Sequence, residues 1–242
     1  MNQTVNKALA KASEKYSETL TLRAAMQVIP WIGGALDTLF AGKGTKISQK
    51  RIEDFLAQLN ERLQEIESAK EIEPTEEFFD LMVGAFDGVL RSRSESKRKH
   101  FAVLVANQVV YAAPWEDAET ALQIVSELSD AHIRVLIAAL HAEPCSGSFA
   151  GLKVITVKND FIGGGEQGHP TRLAEILPAY DSSALRLICS QLVARGLLHD
   201  EGVGRLGTKS MEYLIATETT RWLMNWIESS PENAQPSVPG DA

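Results

Sequence analysis

The glycine-rich stretch FIGGGEQGHP, residues 161–170, is the segment whose composition best matches a site for chemistry. Gly163, Gly165 and Gly168 have the GxGxxG spacing of loops that hold the phosphates of a dinucleotide. In such folds the first glycine ends a buried strand, the third begins a helix, and a second parallel strand follows that ends in an acidic residue. The motif therefore indicates a nucleotide only if its neighbours supply these elements.

The neighbours of this glycine loop do not supply them. Asn159 and Asp160 place polar residues before the glycines, and Pro170 follows the last of them. Residues 183–193, where the second strand should come, have the cap and the period of a helix. Asp181 lies at a suitable distance, but as a helix cap. We therefore expect a mobile polar connector whose glycines serve turn geometry, and no cofactor.

Two histidine-containing clusters are the remaining candidates for catalysis or metal binding. His141 and Cys145 lie four residues apart, and the triplet His-Asp-Glu occupies residues 199–201. Neither cluster has the ligand spacing of a metal site or a nucleophile with a base and an orienting group. Cys145 and Cys189 form no CxxC pair, so no disulfide framework is indicated. We predict no catalytic residue, no metal and no enzymatic activity.

Basic residues in the second half of the chain could contact nucleic acid. Arg186 and Arg195 belong to one predicted helix, and Arg205 and Lys209 follow in a glycine-rich turn. A helix of this kind would enter the major groove while the turn contacts phosphates. However, one exposed arginine is little for base recognition, and residues 129–228 hold nine Lys+Arg against eleven Asp+Glu. DNA binding is therefore the alternative to a protein contact.

A second basic cluster, RSRSESKRKH at residues 91–100, carries five Lys+Arg against one Glu. Charge runs are usually solvated, which favours an exposed helix junction. The functional interpretation is a docking patch for acidic lipid head groups, nucleic acid or a protein partner. The residues of this predicted patch are Arg91, Arg93, Lys97, Arg98 and Lys99.

The apolar segment VIPWIGGALDTLF, residues 28–40, has two interpretations. It could be a buried helical hairpin, or an amphipathic surface that engages a membrane or a partner. Pro30 and Asp37 interrupt it, so it is too short for a membrane-spanning helix. The residues of the predicted membrane or partner surface are Val28, Ile29, Trp31, Ile32, Leu36 and Phe40.

The composition of the chain bounds its class. The 242 residues are 44% hydrophobic and 23% charged, as in soluble proteins of one or two domains. The formal net charge of −8 disfavours non-specific binding of nucleic acid, which depends on neutralising phosphates. The first twenty residues lack the apolar core of a secretory signal, so we expect a cytoplasmic protein.

Helices dominate the predicted first half of the chain. Residues 46–68 place apolar side chains on one stripe at three-to-four spacing, with charges opposite. Thr75 is a predicted N-cap, and Pro114 stands at the start of a later helix. The other predicted helices cover residues 75–90, 100–112 and 114–128.

The second half has the element order of a winged helix, which it resembles at fold level. Its predicted segments are a helix over residues 131–140, a strand over 152–157, helices over 171–177 and 183–196, a hairpin over 197–217 and a helix over 218–229. The predicted caps are Ser129 or Asp130, Asp181 or Ser182, and Thr217. The helix over 183–196 should bury Leu185, Ile188, Cys189 and Leu192 and expose Ser183, Arg186 and Ser190.

The predicted fold class is mainly α, with an N-terminal helical bundle followed by a winged-helix-like α+β domain. The predicted boundaries are 1–127 for the bundle, 128–228 for the second domain and 229–242 for a disordered, proline-rich tail.

Three further segments carry a family resemblance: RKHFAVLVANQVV, AETALQIVSELSDAHIRVLIAAL and LICSQLVARGLL. Together they resemble the abortive-infection alpha group of bacterial proteins. The resemblance implies a role in phage defence without an assigned chemistry, and no catalytic residue is carried over.

These observations favour a non-enzymatic bacterial protein that acts through protein contacts or self-association, peripheral to the inner membrane if residues 28–40 engage it. The alternative is a DNA-binding transcriptional regulator that uses the winged helix.

Overall fold

The structure is a computed structural model and is mainly helical, with a small four-stranded sheet in its C-terminal part. The described residues are 45–64, 75–111, 113–158, 168–204 and 207–228. They divide into two compact units. The N-terminal unit contains the described residues up to Glu127 together with 226–228, and the C-terminal unit contains those from Leu128 to Asn225. The mainly α prediction is confirmed; the predicted tail, residues 229–242, lies outside the described residues.

Four helices build the described part of the N-terminal unit: α1 (Thr45–Gln64), α2 (Glu76–Arg91), α3 (Glu95–Tyr111) and α4 (Trp115–Glu127). Thr75 caps α2, because its side-chain oxygen accepts a hydrogen bond from the N–H of Phe78 at 3.2 Å. Pro114 directly precedes α4, where a missing N–H is tolerated. Both predicted helix starts are therefore confirmed.

Helix α3 is the centre of this unit. Residues 101–108 are all buried, as expected for a helix that is apolar on nearly every side. Helices α1, α2 and α4 each pack against it. Gly88 of α2 permits a close approach, since a Cβ atom there would lie 2.5 Å from Cζ of Phe101. The sequence thus places a glycine where an aromatic ring meets the backbone of the neighbouring helix.

The C-terminal unit mixes short strands with helices. Its elements are α5 (Asp130–His141), a 3-10 turn (Gly147–Phe149), β1 (Ile155–Thr156), β2 (Thr171–Arg172), α6 (Leu173–Ile176), α7 (Ser182–Ala194), β3 (Leu198–Asp200), β4 (Tyr213–Ala216) and α8 (Glu218–Ile227), of which the residues up to Asn225 belong to this unit. The strand order is β2-β1-β4-β3, with β1 and β2 parallel and the other pairs antiparallel. The predicted hairpin is confirmed as β3 and β4, with Asp200 opposite Leu214.

The predicted caps are also confirmed. Ser129 caps α5, and Asp181 caps α7 by accepting a hydrogen bond from the N–H of Ala184 at 2.7 Å. Thr217 caps α8, with its hydroxyl 3.3 Å from the N–H of Thr220. Helix α7 ends before Gly196, whose φ of +70° favours glycine.

The prediction of a helix over residues 171–177 is wrong at its start. Thr171 and Arg172 form strand β2, and the N–H of Thr171 donates to the carbonyl oxygen of Val154 at 2.8 Å. Thr171 is β-branched and therefore suits extended backbone, while pairing with β1 satisfies its N–H. The helix that remains, α6, is a single turn, and Pro178 stands soon after it. The strand predicted over residues 152–157 is likewise only the two residues of β1.

Candidate functional site

Helix α7 has one buried and one exposed face, which makes it the best-defined candidate surface. Its buried side chains are Leu185, Ile188, Cys189 and Leu192, as the helical period predicts. Burial raises the pKa of the Cys189 thiol to about 12, although the nearby charge of Arg186 acts to lower it. Cys189 therefore stays a protonated thiol in the core and contributes packing.

The exposed face of α7 carries an apolar side chain that the sequence analysis did not single out. Ser183 and Arg186 are exposed as predicted, and Ser190 is half-buried. Leu187 is 60% exposed beside them. A large apolar residue that the helical period places outside the buried stripe is the signal that could have identified this surface from the sequence.

A shallow groove of about 490 Å³ lies along this face of α7. We call it the α7 groove; its lining residues are Ser182, Ser183, Arg186, Leu187, Ser190 and Met211. Met211 comes from the loop between β3 and β4, so the hairpin completes the groove. The surface therefore combines one cation, serine hydroxyls and two large apolar side chains.

Asp200 fixes the hairpin loop that carries Met211. Its buried carboxylate accepts hydrogen bonds from the N–H of Gly202 at 2.9 Å, the hydroxyl of Ser210 at 2.8 Å and the N–H of Met211 at 2.7 Å. Met211 has a φ of +64°, in the left-handed region that residues other than glycine rarely adopt. Asp200, which the sequence grouped with a histidine and a glutamate, thus holds Met211 in this conformation.

Glu212 connects the hairpin loop to Lys158, which lies two residues after β1. Its buried carboxylate accepts from the N–H of Lys209 at 3.0 Å and pairs with Nζ of Lys158 at 3.2 Å. Burial alone would raise the pKa of Glu212, but these two partners outweigh it and hold the pKa below its usual value. The ammonium of Lys158 also lies 5.7 Å from the ring centroid of Tyr213 in β4.

Replacing Glu212 with glutamine is expected to lower the free energy of unfolding at neutral pH and to flatten its pH dependence below about 4.5. A carboxyl whose pKa is lower in the folded state adds stability above the unfolded pKa, and that stability is lost as the pH falls through the folded pKa. Urea unfolding over a pH series measures both effects. The control is Glu218→Gln, which alters an exposed pair with Arg221. A Glu212→Gln protein with the wild-type pH slope would contradict this assignment.

Three of the four predicted nucleic-acid contacts lie in the described part of the chain, and they differ in their relation to the α7 groove. Arg186 lines the α7 groove, and Lys209 is exposed in the hairpin loop. Arg195 is exposed but follows the end of α7 and does not line the groove. Arg205 lies outside the described residues. The amide oxygen Oε1 of Gln191, which also belongs to α7, lies 2.7 Å from Nε2 of His132.

The predicted basic patch at residues 91–99 is wrong in one member. Arg98 is only 7% exposed, and its guanidinium donates to the carbonyl oxygens of Ser92 and Arg93 and lies 3.4 Å from the carboxylate of Asp54. The turn between α2 and α3 leaves carbonyl oxygens without helical partners, and the buried arginine satisfies them. Arg98 therefore stabilises the turn and cannot contact a docked partner.

The other members of that patch lie nearer the surface. Arg91, Arg93 and Lys99 are exposed, and Arg91 pairs with Asp87 at 3.0 Å. Lys97 is half-buried and donates to the carbonyl oxygen of Ser126 at 2.7 Å. A docking role for these four residues stays a prediction.

Two other predicted features fall partly or wholly outside the described residues. The predicted membrane or partner surface within residues 28–40 lies outside them, as do Gly163 and Gly165 of the glycine loop. Gly168 is described, and its carbonyl oxygen accepts from the N–H of Ser146 at 2.7 Å and from the Ser146 hydroxyl at 3.1 Å. The end of the glycine loop is therefore held against Ser146.

The two histidine-containing clusters lie around the end of α5 and in and after β3. Cys145 is buried, and burial raises the pKa of its thiol, while His141 is exposed at the end of α5. Nε2 of His199 lies 3.9 Å from the carboxylate of Glu201. Across the described ranges, no group of three or more His, Cys, Asp or Glu side chains is placed to hold a metal ion. Those same ranges contain no helix with the length and apolar character needed to cross a bilayer.

Comparison of the chain with protein-family models, with curated proteins and with solved structures found no match.

Proposed function

We propose that the chain is a non-enzymatic interaction protein and that its C-terminal unit is a winged-helix-like module. The element order supports this fold, because a helix, two short strands and two helices precede the β3–β4 hairpin, so that β2 is an addition to the predicted order. The pairing supports it as well, since β1 joins the hairpin beside β4 and α7 runs directly into β3. In this arrangement α7 is the recognition helix, and the hairpin loop is the wing.

The module binds a protein partner through the α7 groove. The observation that carries this proposal is Leu187, which is 60% exposed in a groove that also contains Arg186 and Met211. Arginine and methionine are enriched in protein interfaces, and the buried centre of an interface is more apolar than the rest of the surface. The lining of the groove holds one arginine, and Lys209 is exposed on the adjoining loop; two cations offer little for reading base edges, so a DNA contact fits the groove less well. Phage defence, the setting that the family resemblance implies, stays a prediction.

Site-specific photo-crosslinking in cells that naturally make the protein tests this role. A photo-reactive phenylalanine analogue in place of Leu187 is expected to give discrete protein adducts that Arg186→Glu removes. The same analogue in place of Ile47, which is 62% exposed in the N-terminal unit, is the matched control and should not give these adducts. Adducts that form equally at both positions would overturn the proposal.

A mobility-shift assay with duplex DNA over a salt series tests the DNA-binding alternative. Binding to phosphates weakens steeply as salt rises. If the wild-type protein binds duplex DNA in this way and Arg186→Ala weakens the binding, the chain is a DNA-binding regulator and the proposed function is overturned. If no salt-dependent binding is observed, the protein contact stands as the function of the groove.

A further inference from the structure

We infer that the partner bound in the α7 groove is a second copy of this chain, which presents the exposed face of its helix α2. This inference rests on the proposed function, because it uses the same groove and names its occupant. The presenting surface, here called the α2 stripe, consists of Glu76, Asp80, Val83 and Asp87. The contact is head-to-tail, since two different surfaces of the chain meet.

The α2 stripe is a continuous exposed surface on one side of a helix. Its members are spaced by three or four residues, so their side chains lie above one another along about 16 Å of α2. The opposite side of the helix is buried against the other helices of the N-terminal unit, including Phe78, Leu81 and Phe86. Val83 is 42% exposed at the centre of the stripe. An apolar side chain thus stands among carboxylates.

The chemistry of the two surfaces is complementary. The α7 groove places Leu187 beside Arg186, and Lys209 is exposed in the loop that also supplies Met211. The α2 stripe places Val83 between Asp80 and Asp87. Because Asp87 also pairs with Arg91 of the same helix, Glu76 and Asp80 are the carboxylates that face the cations of the groove. Docking would bury Val83 against Leu187 and would place the carboxylates of the stripe near Arg186 and Lys209. The apolar contact favours affinity, and the paired charges favour one orientation of the two molecules.

The exposed apolar residues elsewhere favour α2 as the occupant. The exposed large hydrophobic residues of the described part of the chain are Ile47, Val83, Tyr180, Leu187 and Val203. Val83 alone among these has a carboxylate both three residues before it and four residues after it on one helix face. Ile47 is followed by Lys50 and Arg51, whose charges would oppose the arginine of the groove.

A symmetric contact between two α7 grooves fits less well. Pairing a surface with its own copy would bring Arg186 and Lys209 towards the same cations of the other molecule. Like charges at an interface are unfavourable. The head-to-tail contact avoids this repulsion. Because the groove and the stripe contribute few residues each, we expect weak association that depends on protein concentration.

Sedimentation velocity on the full chain, from low micromolar to near-millimolar concentration, tests the inference. The wild-type protein is expected to associate further as concentration rises. Asp80→Lys blocks the α2 stripe and Leu187→Lys blocks the groove, and each should weaken association about tenfold or more. The matched controls are Glu119→Lys on the exposed side of α4 and Ile47→Lys, which should associate as the wild type does.

Mixing the two blocked proteins gives the decisive result. Each Asp80→Lys molecule keeps an intact groove, and each Leu187→Lys molecule keeps an intact α2 stripe. An equimolar mixture is therefore expected to form dimers that contain one copy of each variant. No larger species should form, because the surfaces left unoccupied in each dimer are the lysine-bearing stripe and the lysine-bearing groove, which repel each other. A wild-type protein that stays monomeric, or a mixture that forms no dimer, overturns the inference.

The proposed function can survive that failure. Photo-crosslinking from position 187 to a protein other than this chain would keep the groove as an interaction site and reject the second copy as its partner. Conversely, self-association that is unaffected by Leu187→Lys would overturn the second copy as occupant of the groove without testing other partners.

Discussion

Replacing Asp200 with alanine is expected to lower the free energy of unfolding of the C-terminal unit by about 2–4 kcal/mol, since hydrogen bonds to charged groups contribute about 1.5–3 kcal/mol each and part of this loop is open to water. The substitution removes the acceptor for the N–H groups of Gly202 and Met211 and for the hydroxyl of Ser210. Met211 would then lose the hydrogen bond that helps to hold its left-handed backbone in place. The loss should therefore include the shape of the α7 groove.

Asp200→Asn is expected to have an intermediate effect. The amide oxygen can still accept a hydrogen bond, but the amide nitrogen is a donor and would face a backbone N–H or the Ser210 hydroxyl. The control is Glu143→Ala, which removes an exposed carboxylate of the same unit.

Urea unfolding and hydrogen exchange of the hairpin amides measure the effect of these Asp200 substitutions. The N–H groups of Gly202 and Met211 should exchange fastest in Asp200→Ala, more slowly in Asp200→Asn and most slowly in the wild type. If Asp200→Ala is no less stable than Glu143→Ala, Asp200 does not organise the loop.

The sequence predicted the helical parts of the candidate site because their signals are local. Asp181 and Thr217 are capping residues that stand directly before segments with a helical apolar period. The buried face of α7 follows from the three-to-four spacing of its apolar side chains, from Leu185 to Leu192. The same spacing leaves Leu187 off the buried stripe. That exclusion was present in the sequence, and it would have indicated an exposed apolar residue.

The parts that sequence reasoning missed depend on contacts between distant residues. Asp200 accepts a hydrogen bond from the N–H of Met211, and Glu212 pairs with Lys158. Two strands and two helices separate Lys158 from Glu212 in the sequence. Arg98 is long enough to turn outward or inward, and the free carbonyl oxygens of a turn decided the direction. Charge runs show which residues could be exposed, but the acceptors that bury one of them are visible only in three dimensions.

The error at residues 171–177 has a different cause. The apolar period of this segment is correct for Leu173 and Leu177, which are both buried. Thr171 instead pairs with Ile155 of β1, and nothing in the sequence indicated a strand that would pair with β1 on this side. Tertiary pairing therefore overrode local helical preference over two residues.

In the N-terminal unit, Phe101→Ala is expected to lower the free energy of unfolding by about 3–5 kcal/mol, the range for removing a fully buried phenylalanine. The ring of Phe101 occupies the space over Gly88, where an added Cβ would meet Cζ at 2.5 Å. Gly88→Ala in the wild-type protein should therefore also destabilise, by about 1–3 kcal/mol from overpacking, less about 1 kcal/mol gained in helix propensity.

Combining the two substitutions should reverse the sign of the second. Once the Phe101 ring is gone, the methyl group of Gly88→Ala enters the vacated space, and alanine favours the helix by about 1 kcal/mol over glycine. The double variant is then more stable than Phe101→Ala alone, with a coupling energy of about 1–3 kcal/mol. Gly84→Ala is the control in the same helix, because its Cβ would meet the side chain of Leu122, a flexible end that can shift. Urea unfolding of the single and double variants measures the cycle. If Gly88→Ala costs as much without the Phe101 ring as with it, the close approach of α2 to α3 at this position is not what requires glycine.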